Sequence, residues 1–381
     1  MKKNLQIYLF ILFIIGIIMA GNNNITYGNS INSSMCKYEF KLLPKTITNR
    51  GPGASLILLN NGKVLITGGM IDNENSTNSV EIYDPNTNKF SKLSNMNIPR
   101  VNHASFLLKD GNVLIVGGQI YSKNKPVKNL KSSEIYDVKT NTFKIIENLN
   151  FTMGHPQIMR TKDDSIIIFC NENEIDIFDE DKYKFTPYKY NEVTKETNKT
   201  IIKALTLNNR NILFITTSGI LKVFKNKNEK LEILHKPLPI NLIGQSYEKL
   251  FDDKVLIIGS DERKETNSNN HYKASIFDIY NGKLVKSYKL NYPHDKFYTI
   301  LLNDGNILTI GNGTWHYGTF ITNHELSNKV EYFSINKNSF IKTNNRHSKG
   351  AVKMLKLNNG NILILSESRK PELFIVKDRR K

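Results

Sequence analysis

Residues 50–69 read Arg50-Gly-Pro-Gly-Ala-Ser-Leu-Ile-Leu-Leu-Asn-Asn-Gly-Lys-Val-Leu-Ile-Thr-Gly-Gly69, and the pattern returns as Arg100-Val-Asn-His-Ala-Ser-Phe-Leu-Leu-Lys-Asp-Gly-Asn-Val-Leu-Ile-Val-Gly-Gly118. Each copy is followed by a second shared phrase, Ser79-Val-Glu-Ile-Tyr-Asp-Pro-Asn-Thr-Asn-Lys-Phe90 in one and Ser133-Glu-Ile-Tyr-Asp-Val-Lys-Thr-Asn-Thr-Phe143 in the other. A unit of about fifty residues written twice marks a repeat architecture, in which each copy buries its apolar surface only against its neighbours.

The turn before Val64-Leu65-Ile66 is an anchor that can be followed through weaker copies, at Asn61, Asp110, Asp163, Asn209, Asp252, Asp304 and Asn359. A short apolar run begins three residues after each, such as Ile166-Ile167-Ile168, Ile212-Leu213-Phe214 or Ile362-Leu363-Ile364. Runs of this kind, bounded by turn residues and rich in β-branched types, read as buried strands. The Asn-Gly and Asp-Gly steps predict two-residue hairpin turns with positive φ at both central positions. A second spacing checks the count, because an aromatic in the third strand is followed seven residues later by a large apolar residue in the fourth: Tyr83 and Phe90, Tyr136 and Phe143, Phe178 and Phe185, Phe224 and Leu231, Phe277 and Leu284, Phe333 and Phe340. The seventh unit stops after Phe374, without a fourth strand. Phe40 precedes Arg50 by the same ten residues that separate Phe90 from Arg100, so residues 37–43 have the register of that missing strand.

The double glycines Gly68-Gly69 and Gly117-Gly118, Tyr83-Asp84 and Tyr136-Asp137, and the aromatic seven residues on resemble kelch repeats. The resemblance implies an all-β, seven-bladed β-propeller whose ring is closed by the N-terminal strand, over residues 36–381. It departs from the family where the usual Trp is Phe or Leu, and where the double Gly decays to Ile258-Gly259 and Ile310-Gly311. Six and eight blades stay open.

A closed propeller makes 381 residues an ordinary length for one domain. Lys2, Lys3 and the apolar run Leu5 to Ala20 form a secretory pattern, followed by a polar linker over 21–35. Its sixteen residues are short for a membrane span. Export is therefore expected, by a cleaved signal over 1–20 or as an uncleaved N-terminal anchor, and the chain is read as a monomer. Cys36 falls by the outermost strand of the closing unit and Cys170 at the end of an inner strand of the third, too far apart for a disulfide. The net charge of +18 follows Lys that is abundant throughout the chain, and no Arg-rich helix, zinc spacing or RNA-binding aromatic pair accompanies it. Specific nucleic-acid binding is set aside, and no cofactor or metal is called for.

In a four-stranded blade, the second-to-third-strand loops and the links between blades share one face. The loops Met70 to Asn78, Gln119 to Lys131, Ser260 to Tyr272 and Asn312 to Asn328 are long, and those of units 3, 4 and 7 are tight turns. Long aperiodic loops in an economical fold are where function usually sits. They are expected to wall a cleft floored by the links, which carry Arg50, Arg100, His103, His155, His294, Arg346 and His347. Trp315, His316 and Tyr317, flanked by glycines, suit stacking on a sugar or clamping a peptide. The candidate ligand-binding set is thus Arg100, His103, His155, His294, Trp315, His316, Tyr317, Arg346 and His347. Against it, Arg50, Arg100 and His103 occupy repeat-consensus positions where residues often bond neighbouring blades, and Met153 and Phe297 read as core.

Copper radical oxidases resembling this chain need a Cys crosslinked to Tyr, a role that Cys170 on a buried strand does not suit. A sialic-acid mutarotase needs an acid, a base and an Arg for the carboxylate, for which Arg100 or Arg346 with His103 or Glu325 are the candidates. The reading that emerges is a non-catalytic binder of a protein or cell-surface glycan through the loops of units 1, 2, 5 and 6, with the sugar-modifying enzyme as its alternative.

Overall fold

The computed structural model describes residues 37–377, apart from 52, 73, 162–163, 170–173, 190–200, 208–210, 217–220, 226–229, 234–241, 251–253, 262–271, 281, 293–296, 312, 318–321, 351 and 367–369. Residues 1–36, read from the sequence as signal and linker and including Cys36, lie outside the described residues, as do Cys170 and His294. The chain divides into a compact unit, Tyr38–Val376, and a remainder of Met1–Lys37 with Lys377–Lys381.

All regular structure among the described residues is β, in seven four-stranded antiparallel sheets and two short two-stranded ones. Unit 1 is Ser55–Leu58, Val64–Thr67, Val80–Asp84 and Lys89–Lys92; unit 2 is Ala104–Leu107, Val113–Val116, Ser133–Asp137 and Thr142–Ile145; unit 3 is Gln157–Arg160, Ile166–Phe169, Glu174–Asp179 and Lys184–Lys189. Unit 4 is Ile201–Thr206, Ile212–Thr216, Leu221–Lys225 and Lys230–Ile233; unit 5 is Leu242–Lys249, Lys254–Asp261, Tyr272–Asp278 and Lys283–Lys289; unit 6 is Phe297–Leu301, Ile307–Gly311, Val330–Ser334 and Ser339–Lys342. The last sheet takes Val352–Lys356, Ile362–Ser366 and Glu372–Lys377 from one end of the chain and Lys37–Leu42 from the other. Phe40 packs on Phe374 with ring centroids 5.1 Å apart. The six aromatic–apolar pairs read from the sequence are all cross-strand partners, from Tyr83 opposite Phe90 to Phe333 opposite Phe340.

The unbroken apolar runs have a direct explanation in how the sheets pack. Side chains alternate across a strand, so Val113 and Ile115 pack with Leu65 and Val80 of unit 1, whereas Leu114 and Val116 pack with Ile166 and Ile168 of unit 3. Ile167 and Phe169 meet Ile212 and Phe214, and Leu213 and Ile215 meet Val255 and Ile257. Leu256 and Ile258 meet Ile307. Val64 and Ile66 share a cluster with Leu363 and Leu373, which returns from the last unit to the first. A sheet sandwiched between two others has no solvent face, so its second strand has no polar alternation to show. Burying each such side chain contributes about 1.5–3 kcal/mol. Met153 and Phe297 are core, as the sequence suggests.

The first hairpin turns differ from expectation. Gly62 N–H donates to Leu59 O at 2.9 Å and Leu59 N–H to Lys63 O at 2.9 Å, while positive φ is confined to the glycine, 79° at Gly62 and 89° at Gly111. This is the three-residue hairpin, a type I turn followed by one left-handed residue. Each described anchor, Asn61, Asp110, Asp304 or Asn359, is therefore not left-handed. Its side chain accepts the N–H two residues on, as Asn61 does from Lys63 and Asp110 from Asn112.

Candidate functional site

The links ahead of units 1 and 2 are fixed by a buried ion-pair clamp. Arg100, expected to face a ligand, is wholly buried: its guanidinium donates to Glu134 Oε1 at 2.8 Å, Gly117 O at 2.8 Å and Ser132 O at 3.0 Å. Arg100 O meanwhile accepts from Gly69 N–H of the preceding unit at 3.0 Å. The link is thus held on both sides. Arg50 repeats the arrangement with Glu81 at 3.0 Å and the carbonyls of Gly68 and Ser79. Arg346, 1 % exposed, donates to Gly350 O at 2.7 Å, and burial lowers its pKa to about 10. Arg100 and Arg346, the two candidates for holding a sugar carboxylate, are thus buried in contacts with their own links.

The double glycines serve the same clamp. Gly118 has φ 89°, and a Cβ there would stand 2.6 Å from Val101 O and 2.8 Å from His103 Cβ. Only glycine combines that backbone with so close a neighbour.

Sequence reasoning missed the carboxylates. The residue two before the third-strand aromatic is Glu81, Glu134, Asp176, Lys222, Ser275, Glu331 and Glu372 in units 1 to 7. The five acids each accept a backbone N–H from the link ahead of their own unit, from Ile47 and Thr48, Asn97 and Ile98, Asn150, Asn291, and His347 and Ser348. A buried Glu in the middle of an apolar strand was the available signal, since such a charge needs partners.

Inside the links, the first strands of units 1, 2, 3, 6 and 7 line a cavity of about 450 Å³. His103 and His155 from the expected set are among its lining, with Asn102, Gln157, Tyr298 and Lys353. His103 is 5 % exposed, its Nε2 lies 2.7 Å from Thr67 Oγ1, and its Nδ1 is buried without a partner. Burial, then the charges of Arg100, Lys353 and Arg50, holds its pKa well below the ordinary imidazole value, so it is neutral. Water reaches Lys353, yet the surrounding walls keep its pKa low, first by desolvation and then by repulsion from Lys203. Glu248 is the neighbouring carboxyl. Burial raises its pKa against the opposing charge of Lys203, and it accepts from Thr299 Oγ1 at 2.9 Å.

Arg100, Arg346 and His347 are not among that lining. The exposed His347 ring sits 3.3 Å from Glu372 Oε2. Trp315, His316 and Tyr317 lie on a strand, Gly313–Tyr317, that pairs with Thr322–Leu326 in a separate two-stranded sheet. The long loops of units 1 and 2 are bound to each other: Ser76 N–H donates to Tyr121 O at 3.0 Å, Tyr121 N–H to Ser76 Oγ at 2.7 Å, and Lys123 pairs with Glu74 at 3.0 Å. Ile71 and Val127 stay exposed on this ridge. A second cavity, of about 480 Å³ between units 2 and 3, is acidic, but Asp164 and Glu180 there are already paired with Lys109 and Arg160. Among the described residues there is no group of three His, Cys, Asp or Glu side chains arranged to hold a metal, and no helix long and apolar enough to cross a membrane.

Residues 58–97 match the kelch motif. An F-box/kelch-repeat protein of Arabidopsis thaliana is 32% identical over 126 residues, 32% of this chain and 35% of that protein, so the chain spans about a third of the length of the curated relative that it matches. Two solved structures share the fold at 13% identity. One is a fungal alcohol oxidase of the AA5 family in complex with copper, with a TM-score of 0.63 over 89% of this chain and 76% of that one. The other is a catalytically inactive virginiamycin B lyase from Staphylococcus aureus with quinupristin, with a TM-score of 0.62 over 90% of this chain and all of that one.

Proposed function

We propose that this kelch-repeat β-propeller is a protein-interaction scaffold that presents its partner surface on the face built from the links and the second-to-third-strand loops. The kelch motif, the kelch repeats of the matched relative and the mutually bonded loop ridge support the reading. The observation that carries it is the mutual binding of the loops Met70 to Asn78 and Gln119 to Lys131, which order two aperiodic segments while leaving Ile71 and Val127 in water. Preordered apolar side chains on a polar rim reduce the entropy lost on association.

In this reading the seven sheets are seven blades of one ring, with Lys37–Leu42 completing the last. Supporting it, Tyr38 of that strand meets Tyr332 of unit 6 with ring centroids 4.8 Å apart, and the apolar clusters of units 7 and 1 are continuous. The N-terminal apolar run is read as the export element and the protein as a monomer, with a cell-surface glycan as the other class of partner. N-terminal sequencing of protein recovered outside the cell tests export directly.

The scaffold is tested by replacing residues 119–131 with a tight turn and measuring partner binding by interferometry, with circular dichroism to check the fold. The expected result is at least a tenfold loss of affinity, about 1.4 kcal/mol. Unchanged binding after separate exchange of the loops of units 1, 2, 5 and 6 overturns it.

A further inference from the structure

We propose that the cavity between the first strands is a binding site for a small organic monocarboxylate, with the Lys353 ammonium as its counter-ion. This goes beyond the scaffold reading and does not depend on the loops.

The charges around the cavity are unevenly answered. Arg50 and Arg100 are neutralised by Glu81 and Glu134, and Lys203 is opposed by Glu248. Lys356, on the same strand as Lys353, donates to Leu301 O at 3.1 Å. Lys353 differs. Among the described residues its ammonium makes no ion pair or hydrogen bond, and no carboxylate acts on it. Lys353 is thus an exposed cation without a partner among the described residues, and the cavity of about 450 Å³ beside it is of the size that takes small ligands.

The lining defines the ligand's chemistry. A carboxylate matches the Lys353 ammonium, and the lining has no carboxylate of its own to oppose it. His103 adds no charge, because it is neutral. Leu56, Ile158 and Val352 supply apolar wall for a carbon skeleton, and Asn102, Gln157 and Tyr298 supply neutral polar groups for hydroxyls or carbonyls.

The test uses the whole chain in thermal-shift and NMR titrations with sodium acetate, lactate, gluconate and benzoate, each against sodium chloride at equal ionic strength, with sorbitol as the uncharged counterpart of gluconate. Carboxylates are expected to raise the melting temperature where chloride and sorbitol do not. Lys353→Met is expected to weaken that binding at least tenfold, about 1.4 kcal/mol, and Lys353→Arg to retain it. Without ligand, Lys353→Met should melt at or above the wild type, since it removes an uncompensated charge; a binding residue behaves this way and a structural one does not. Three results would overturn the proposal: no carboxylate acting beyond chloride, a response equal in wild type and Lys353→Met, or a lower melting temperature for unliganded Lys353→Met. Stronger binding of inorganic phosphate than of every carboxylate would overturn the ligand class.

Discussion

Units 2 and 5 build the same four-stranded sheet by different means. In unit 2 the second strand ends at Val116, because Gly117 and Gly118 turn left-handed with φ 59° and 89°, and into the gap come Val101, His103 and the Arg100–Glu134 pair. In unit 5 the second position of the double glycine is Ser260. Gly259 stays in the ladder opposite Lys273, and the strand runs on to Asp261. Ser275 stands where Glu134 stands and hydrogen-bonds Ser287 at 2.9 Å. Glycine pair, arginine and glutamate come together in unit 2. In unit 5 the glycine pair and the glutamate are gone, and longer ladders of seven or eight residues hold the sheet. The double glycine is therefore best understood as a strand terminator that admits a clamp.

The sharpest way to break this comparison is to remove the carboxylates. Glu134→Ala leaves Arg100 buried and unpaired and is expected to cost about 3–5 kcal/mol, against less than about 1 kcal/mol for Ser275→Ala. Equal costs in chemical denaturation would mean that the clamp is ornamental. Gly118→Ala comes next. A Cβ at φ 89° facing Val101 O should cost about 1–3 kcal/mol, and a crystal structure of the variant should show the 100–103 link displaced.

The smallest effect concerns pH. His103 is kept neutral in the fold, but the unfolded chain binds a proton near the ordinary histidine pKa of about 6.5. The unfolded state thus holds more protons below that pH, and stability falls on acidification, by at most about 1.4 kcal/mol per pH unit. The stability advantage of wild type over His103→Gln should shrink between pH 7.5 and 5.5 when both are followed by urea denaturation. An advantage independent of pH would show that His103 titrates normally and that the link is open to water.

The sequence itself carried the repeat, the strand register and the pairing of Lys37–Leu42 with the final sheet, because these depend on spacings that the chain states locally: an anchor turn, an apolar run three residues on, and an aromatic pair seven apart. It also placed His103 and His155 on the links that border the cavity. It could not separate Arg100 from a ligand-binding arginine, since the deciding partner, Glu134, is thirty-four residues away and meets it only when the link folds back across its own sheet. Nor could it single out Lys353 among so many lysines. What distinguishes that residue is that no described carboxylate opposes it beside the cavity, and only the tertiary structure, by bringing five first strands around that cavity, decides which charges are answered and which are left facing water.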